Sequence, residues 1–282
     1  MSYTILLDKH TAPLDRLTLV RLQLDASCPS LVLGTQGNEG LLYSLVGRVT
    51  VYADGLCLGT LGGRRSVTEP QIHCIRFPAG VMTTITVVLD GFAADVLWVT
   101  YESSSFKVVA TPYSRVTYNQ GTSTNMTSVI QQTPYLHWHD TVWHSVGTGT
   151  YARTVAEVPR PDGYRLDVGE TLNPPGAWSS YPPHANTQDI EHFSNGETTW
   201  EEVFFCVCEQ PGIVNLQGVY TGGTIVEKVM PVYNGHAYVM PLGSHAMVAH
   251  PQSYLYYFWC YAGTALEKIY RKYSDDVGVY RK

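Results

Sequence analysis

The sequence consists largely of short β-type runs interrupted by Gly, Pro, Asn and Asp, and this pattern limits the fold more than any other feature. β-Branched and aromatic residues are enriched in runs such as "LTLVRLQLDA", "TTITVVLDG" and "ADVLWVTYES". Regularly spaced strands of this kind predict antiparallel sandwiches or barrels. Helical periodicity occurs in "TALEKIYRKY", where Leu266, Ile269 and Tyr270 lie along one side. We therefore predict an all-β chain with one short C-terminal helix.

A polar stretch over residues 103–134, rich in Ser, Thr and Asn, separates two strand-rich halves. Each half contains a strand, a Gly turn and a second strand, "YSLVGRVTVYADG" in the first and "EKVMPVYNGHAYVMPLGSH" in the second. A chain of 282 residues is long enough for two domains. We predict one barrel over 1–110, a connection over 111–134 and a second barrel over 135–282.

Composition limits the partners of the chain. Charged residues make up 15%, against roughly 25% in an average soluble domain. A surface so poor in charge is either solvated by uncharged polar groups or covered by other subunits, and we favour a homo-oligomer or larger assembly. A net charge of −6 without a Lys/Arg cluster argues against nucleic acid. The N-terminal sequence and the lack of a long apolar run predict a cytoplasmic protein without a membrane span.

Three residues of the second half have the chemistry and spacing of metal ligands. His184 ends "YPPH", Glu202 opens "EVFFCVC" and His245 follows "PLGSH". Two imidazoles and one carboxylate from separate strands can converge at the mouth of a barrel and bind one divalent ion. A fourth ligand on the strand of His184 would lie two positions further on, on the same face, and that position holds Asn186.

These segments resemble the 5-deoxy-glucuronate isomerase family of inositol catabolism, a bicupin group. In the second half the resemblance lies in "GETLNPPGAWSSYPPH", "EEVFF", "GVYT", "PLGSHAMVAHP" and "YLYYFWCYAG". In the first half it lies in "GNEGLLYSLVGRVTVYADG", "LGGRRSVTEP" and "RFPAG". The resemblance implies two tandem cupin barrels, each a double-stranded β-helix or jelly roll. It also implies metal ligands at His184, Glu202 and His245, with Asn186 at the position of the fourth ligand.

The sequence departs from the family pattern around this site. Thr187 replaces the acidic residue that usually follows the His pair. After "YAG" the family continues with Pro and Arg, whereas this chain has "TALEK", and the family's "YYLN" is "YYFW" here, ending in Trp259. A neutral Asn is a poor replacement for an imidazole, so we expect a divalent metal (Mn, Fe or Zn) to be weakly bound or absent.

Other candidate ligands have plainer interpretations. His192 and Cys206 are conceivable replacement ligands, but Cys on a strand is usually a small core residue. His137 and His139 form the literal His-x-His of the chain, outside the family motif and without a carboxylate partner. The pair Cys206 and Cys208 lacks the second Cys pair of a zinc knuckle. In the first half only His73 lies near the strands, so we expect that barrel to be structural.

Two functions follow from this pattern. In the first, the chain is a non-catalytic structural or assembly protein with an eroded site, for instance in a viral or other large particle, and its location is then the virion. In the second, it is a metal-dependent aldose–ketose isomerase acting on 5-deoxy-glucuronate or a related uronic sugar, with Tyr181 and Tyr220 as candidate catalytic residues of the pocket. A protein that binds a sugar acid without turnover is a third reading. The low charge and the altered ligand set favour the first, and the sequence alone does not separate them.

Overall fold

A computed structural model gives the fold of most of the chain. It describes residues 3–69, 71–102, 115–118, 137–142, 144–146, 150, 153–158, 160, 164–185, 200–221, 224–240, 244–263 and 271–272. These residues are almost entirely β-strands and their connections. No helix among them is long and apolar enough to cross a membrane.

Twenty strands are described. The first nine are β1 (Tyr3–Leu7), β2 (Leu17–Leu24), β3 (Ser30–Gly34), β4 (Glu39–Ala53), β5 (Leu56–Gly62), β6 (Gln71–Phe77), β7 (Thr84–Tyr101), β8 (Arg115–Tyr118) and β9 (His137–Val142). The others are β10 (His144–Val146), β11 (Arg153–Val158), β12 (Asp167–Asn173), β13 (Trp178–Ala185), β14 (Trp200–Cys208), β15 (Gly212–Thr221), β16 (Thr224–Val232), β17 (Ala237–Met240), β18 (Ser244–Val248), β19 (Leu255–Gly263) and β20 (Arg271–Lys272).

The chain divides into two compact units. The first comprises Met1–Trp143 together with Ala156–Asp167, and the second comprises His144–Val155 together with Val168–Lys282. The sequence had placed residues from 135 onward in the second barrel, but β9 pairs with β6 and belongs to the first unit. The sequence of a strand does not by itself determine which sheet the strand joins, because the pairing partners are distant in sequence.

The first unit is built on a nine-stranded sheet. Its order is β1-β2-β7-β4-β6-β9-β8, with β3 on β7 and β5 on β4. The long strands β4 and β7 pair along most of their lengths and shift register around Gly47. One face of the sheet encloses an apolar core formed by residues of several of its strands, among them Leu42, Val49, Ile75 and Trp98.

The opposite face of this sheet carries a buried carboxylate. Glu39 is 2% exposed, and its two carboxylate oxygens accept hydrogen bonds from the backbone N–H groups of Arg165 (2.6 Å) and Leu166 (3.0 Å). Arg76, fully buried, donates from Nη1 to the carbonyl oxygen of Leu166 at 2.7 Å and lies 3.9 Å from Glu39 Oε1. These bonds fix the segment around Arg165 on the sheet, since buried polar groups of this kind must be paired.

Two further sheets are described, and most of their residues belong to the second unit. One has the order β10-β11-β12-β19-β14-β17 and the other the order β16-β15-β18-β13-β20. Alternate residues of both sheets meet in one core, which includes Phe204, Cys206, Val214, Met247 and Tyr257. All nine residues of β19 are buried, so both of its faces are covered, which is why "LYYFWCYAG" reads as an unbroken apolar run.

The predicted C-terminal helix lies mostly outside the described residues. Of its ten residues the structure describes Arg271 and Lys272, and these form the short strand β20 instead of a helical turn. Pairing with β13 accounts for the difference, because a tertiary contact overrides a weak local propensity. The six cysteines are free, and four of them are buried (Cys74, Cys206, Cys208 and Cys260).

We expect Glu39 to make the stability of the protein depend on pH. Burial, partly offset by Arg76 and the two amide hydrogen bonds, raises the pKa of Glu39 above its ordinary value of 4.5. As the pH rises past 4.5, the unfolded chain loses this proton before the folded chain does, so unfolding becomes more favourable. Urea unfolding between pH 4.5 and 8 should show the wild type losing stability relative to Glu39→Gln. Parallel profiles would contradict this assignment, and Glu102→Gln, at an exposed ion pair, is the control.

Gly47 should tolerate no side chain. It has φ +80°, and a Cβ there would overlap the carbonyl oxygen of Ala93 and the backbone of Ala94. Gly55 has φ +82° with open space around it, in the Asp54-Gly55 hairpin turn. Gly55→Ala should therefore cost the left-handed strain of about 1–2 kcal/mol, and Gly47→Ala about 1–3 kcal/mol more from overpacking. Equal midpoints of thermal unfolding for the two variants would refute the overlap.

Candidate active site

A buried carboxylate and imidazole lie together at one end of the second unit's core. His245 Nδ1 is 3.8 Å from Glu202 Oε2, and the two side chains are 2% and 4% exposed. Glu202 is on β14 and His245 is on β18, so the contact joins the two sheets of the unit. A carboxylate buried to this degree needs a charged or hydrogen-bonding partner, and the imidazole faces it.

The position of Glu202 follows from an uninterrupted pairing of β14 with β19. Nine consecutive residue pairs join these strands, and Glu202 lies opposite Tyr261. Because successive residues of a strand point to opposite faces, Glu202 shares the inward face with Phe204, Cys206 and Cys208. Of these four residues Glu202 is nearest the start of β14, and it is the charged one.

The backbone of His184 lies next to that of His245. His184 on β13 is the pairing partner of His245 on β18 in the antiparallel sheet. The register shifts after Ser179: β13 advances five residues, from Ser179 to His184, while β18 advances two, from Met247 to His245. This segment contains two prolines, which cannot donate to the ladder, and Ser180 at its start has φ +57°.

Aromatic rings surround the carboxylate and imidazole. The Phe204 ring meets the His245 ring edge to face, with centroids 5.3 Å apart and planes at 73°, and it also contacts Tyr257 at 5.1 Å. Trp259 and Tyr261 are stacked, with centroids 5.4 Å apart and planes at 8°. Tyr261 is the pairing partner of Glu202, so this flat aromatic pair lies beside the carboxylate.

A buried polar network lies deeper in the same core. The Tyr257 hydroxyl donates to Ser179 Oγ at 2.8 Å, and Asn173 Nδ2 donates to the same oxygen at 2.8 Å. Burial raises the pKa of Tyr257 above its ordinary value of 10.0, although its hydrogen bond to Ser179 opposes the shift. The Tyr257 phenol therefore stays neutral at physiological pH and serves as a hydrogen-bond donor, not as a base.

The two tyrosines proposed from the sequence lie on strands near the site. Tyr181 falls in the irregular segment of β13, three positions before His184. Tyr220 is on β15 opposite Ile225, three positions beyond Gln217, where the pairing of β15 with β18 ends. Their roles stay predictions. Asn186 and His192 lie outside the described residues, so the position of the fourth ligand does too.

The remaining candidate ligands lie elsewhere. Cys206 is fully buried in the core, and burial raises the pKa of its thiol well above the ordinary value. His137 and His139 are on β9 in the first unit, opposite Arg76 and Cys74. The sequence reasoning missed Phe204 and the stacked pair of Trp259 and Tyr261. Phe204 follows Glu202 by two residues on β14, and Trp259 and Tyr261 are two residues apart on β19. This two-residue spacing, which places side chains on one face of a strand, is the signal that could have found them.

The residues at the site fit a divalent metal ion. With bonds of about 2.0–2.2 Å, two ligand atoms on one ion are at most about 4.4 Å apart, and the Glu202 and His245 atoms are within that limit at 3.8 Å. Among the side chains that the structure describes, no three His, Cys, Asp or Glu residues form a metal-binding group. His184, opposite His245 in register, is the residue that would complete a set of three.

Solved structures with the same architecture define the class: this is a cupin-fold protein. An IolB-like protein of Salmonella typhimurium superposes with a TM-score of 0.70 at 18% identity, covering 96% of this chain and 93% of that one. Oxalate decarboxylase of Lactobacillus farciminis superposes with a TM-score of 0.56 at 9% identity, over 98% and 85% of the two chains. At these identities the likeness concerns the fold.

Within this class the chain belongs to the KduI/IolB family, whose sequence pattern matches residues 88–277. It is 33% identical over 121 residues to a 5-deoxy-glucuronate isomerase of Geobacillus kaustophilus, an alignment that covers 42% of each chain. It is 34% identical over 132 residues to that of Geobacillus thermodenitrificans, over 46% of this chain and 47% of that one. The matched part thus spans less than half the length of these relatives.

Divalent metal should bind through Glu202. Removing the negative charge in Glu202→Gln leaves a weak neutral ligand, so affinity for Mn²⁺, Fe²⁺ or Zn²⁺ in a calorimetric titration should fall by more than the about 10–100-fold that an outer-shell change costs. Glu201→Gln is the matched control, because Glu201 neighbours Glu202 on the same strand but lies on the other face. Equal losses in the two variants, or metal binding that survives in Glu202→Gln, would contradict this assignment.

Proposed function

We propose that this protein is a metal-dependent aldose–ketose isomerase that acts on 5-deoxy-glucuronate or a closely related uronic sugar. The observation that carries the proposal is the buried pair of Glu202 and His245, 3.8 Å apart, in a member of the KduI/IolB family. The relatives named 5-deoxy-glucuronate isomerase support the substrate class.

In this proposal Glu202, His245 and His184 hold the metal ion. A bound divalent ion would polarise the carbonyl and neighbouring hydroxyl of the open-chain sugar. The contribution of the chain is to keep the ligands fixed: Phe204 packs against the His245 ring, and the nine-residue pairing with β19 holds Glu202. Rigid ligands on strands reduce the reorganisation that metal and substrate binding would otherwise require.

The aromatic residues of the site suit a sugar. The stacked rings of Trp259 and Tyr261, 9% and 7% exposed, provide apolar aromatic surface next to Glu202. Ligand sites commonly combine such walls with a few well-placed polar groups, here the carboxylate and imidazole. A largely enclosed site also keeps water from an enediol-like intermediate, which limits side reactions.

The isomerisation needs a group that moves a proton between neighbouring carbon atoms. Tyr257 does not fill this role, because burial keeps its phenol neutral and its hydrogen is donated to Ser179. Tyr181 and Tyr220, on strands that lead to the site, are the residues we propose for proton transfer or substrate contact.

The structural-protein interpretation, which the sequence favoured, gains no support from the described residues or from the relatives. It relied on the altered ligand position Asn186, which lies outside the described residues, and on a surface poor in charge. The preserved carboxylate–imidazole pair instead supports the isomerase. Binding of a sugar acid without turnover is an outcome that the following experiment identifies.

Conversion of 5-deoxy-glucuronate to the ketose should occur when the purified protein is supplied with Mn²⁺, Fe²⁺ or Zn²⁺, and NMR of the sugar follows it. Glu202→Gln and His245→Gln should each lose the activity, and Glu201→Gln should keep it. Asn186→His, which introduces an imidazole, should raise metal occupancy more than rate. Binding of the sugar acid without conversion would replace the proposal with a binding protein, and neither binding nor conversion would return it to a structural role.

A further inference from the structure

Arg76, in the first unit, is a fully buried arginine whose guanidinium group is only partly hydrogen-bonded. Its neighbour Ile75 faces the apolar core, so Arg76 lies on the opposite face of the sheet. Its Nη1 donates to the carbonyl oxygen of Leu166 at 2.7 Å. Among the protein groups that the structure describes, none accepts a hydrogen bond from Nε or Nη2 of Arg76. Buried donors without an acceptor are unfavourable, so an acceptor is expected at this edge.

The two donors belong to one edge of the guanidinium group. The N–H of Nε and one N–H of Nη2 are parallel, an arrangement that binds both oxygens of a carboxylate. Arg21 of this chain uses the same edge: its Nε donates to Asp95 Oδ1 at 3.0 Å and its Nη2 donates to Oδ2 at 2.6 Å. The Arg21 side chain is 25% exposed and that of Arg76 is 0% exposed, so the need for an acceptor is greater at Arg76.

The neighbouring carboxylate of Glu39 does not occupy this edge. Its Oε1 is 3.9 Å from Nη1 of Arg76, the nitrogen that donates to Leu166. Both of its oxygens already accept hydrogen bonds from the backbone N–H groups of Arg165 and Leu166. Glu39 thus contributes charge near Arg76 but not the pair of oxygens that Nε and Nη2 require.

Positive charge is concentrated around Glu39. Three arginines, Arg76, Arg160 and Arg165, interact electrostatically with its carboxylate, and Arg76 and Arg165 are buried. Among these four groups one negative charge is set against three positive ones. Charges interact more strongly in a poorly solvated interior than in water, so a second negative charge beside Arg76 is favoured.

We propose that the edge formed by Nε and Nη2 of Arg76 binds a small carboxylate anion of the size of formate or acetate. The ring of Tyr164 lies over the guanidinium group, with Cζ 5.9 Å from the ring centroid, so a planar anion in the guanidinium plane would share this cover. Inorganic phosphate has more oxygens and more charge than the two donors of this edge can pair. The inference is independent of the proposed isomerase, because Glu202 and His245 are in the second unit.

The proposed site gives the first unit a ligand-dependent stability, although the sequence had assigned that barrel a structural role alone. An anion that binds only the folded chain raises the midpoint of thermal unfolding as its concentration increases. Acetate, at constant pH and ionic strength, should therefore raise the midpoint of the full-length protein and reach saturation. Acetamide, which has the same shape without the charge, should not. This comparison uses the wild type and does not depend on the folding of a variant.

Arg76→Lys tests the residue itself. Lysine keeps the positive charge but lacks the paired donors, so affinity for acetate should fall about 10–100-fold, the value of a hydrogen bond to a charged group. Arg21→Lys is the matched control, because the same edge of Arg21 is already bound to Asp95, and its response to acetate should equal that of the wild type. Circular dichroism establishes that each variant is folded.

A crystal structure of the wild type grown in acetate locates the anion. Its two oxygens should lie about 2.7–2.9 Å from Nε and Nη2 of Arg76. A water molecule alone at this edge would overturn the inference. Equal effects of acetate and acetamide, an unchanged acetate response in Arg76→Lys, or stronger stabilisation by phosphate than by acetate would overturn it as well.

Discussion

The nine-residue pairing between β14 and β19 is the constraint on which the site depends. It has no bulge, so a single register determines which side chains of both strands face the core. A slip of β14 by one residue would turn Glu202 out of the core. The same slip of β19 would turn the stacked aromatic rings to the opposite face of the sheet. Burial on both faces of β19 resists such a slip, because its whole length is apolar and covered. Glu202 is therefore held as rigidly as the core residues next to it on β14.

Two buried glutamates of this chain, Glu39 and Glu202, show how the surroundings of a carboxylate determine its role. Glu39 accepts two backbone hydrogen bonds and lies near Arg76, so its oxygens are committed to holding a segment of the chain. Glu202 lies beside an imidazole, and its Oε2 is 3.8 Å from His245 Nδ1, a separation at which both atoms can bind one ion. The first carboxylate serves the fold, and we propose that the second is a metal ligand.

The all-β class and the strands around Glu202 and His245 could be predicted from the sequence, because two-residue periodicity and turn residues are local signals. The contact of these two residues required the family resemblance, since they lie on different sheets. The placement of β9 in the first unit and the pairing of Lys272 could not be predicted, because both depend on distant partners. Glu39 was missed for a different reason: "GNEG" resembles an exposed turn, and its buried role appears only when the amides of Arg165 and Leu166 reach it.

The chain passes between its two units more than once. Residues Ala156–Asp167 belong to the first unit, although the residues on either side of them belong to the second. A fragment that ended at Trp143 would lack the amides of Arg165 and Leu166 and would leave the carboxylate of Glu39 buried without them. The two cupin halves are thus not interchangeable modules. Gene fission or recombination at the polar stretch before β9 would separate a strand and a buried carboxylate from their partners, so descendants of this fold are expected to retain both halves on one chain.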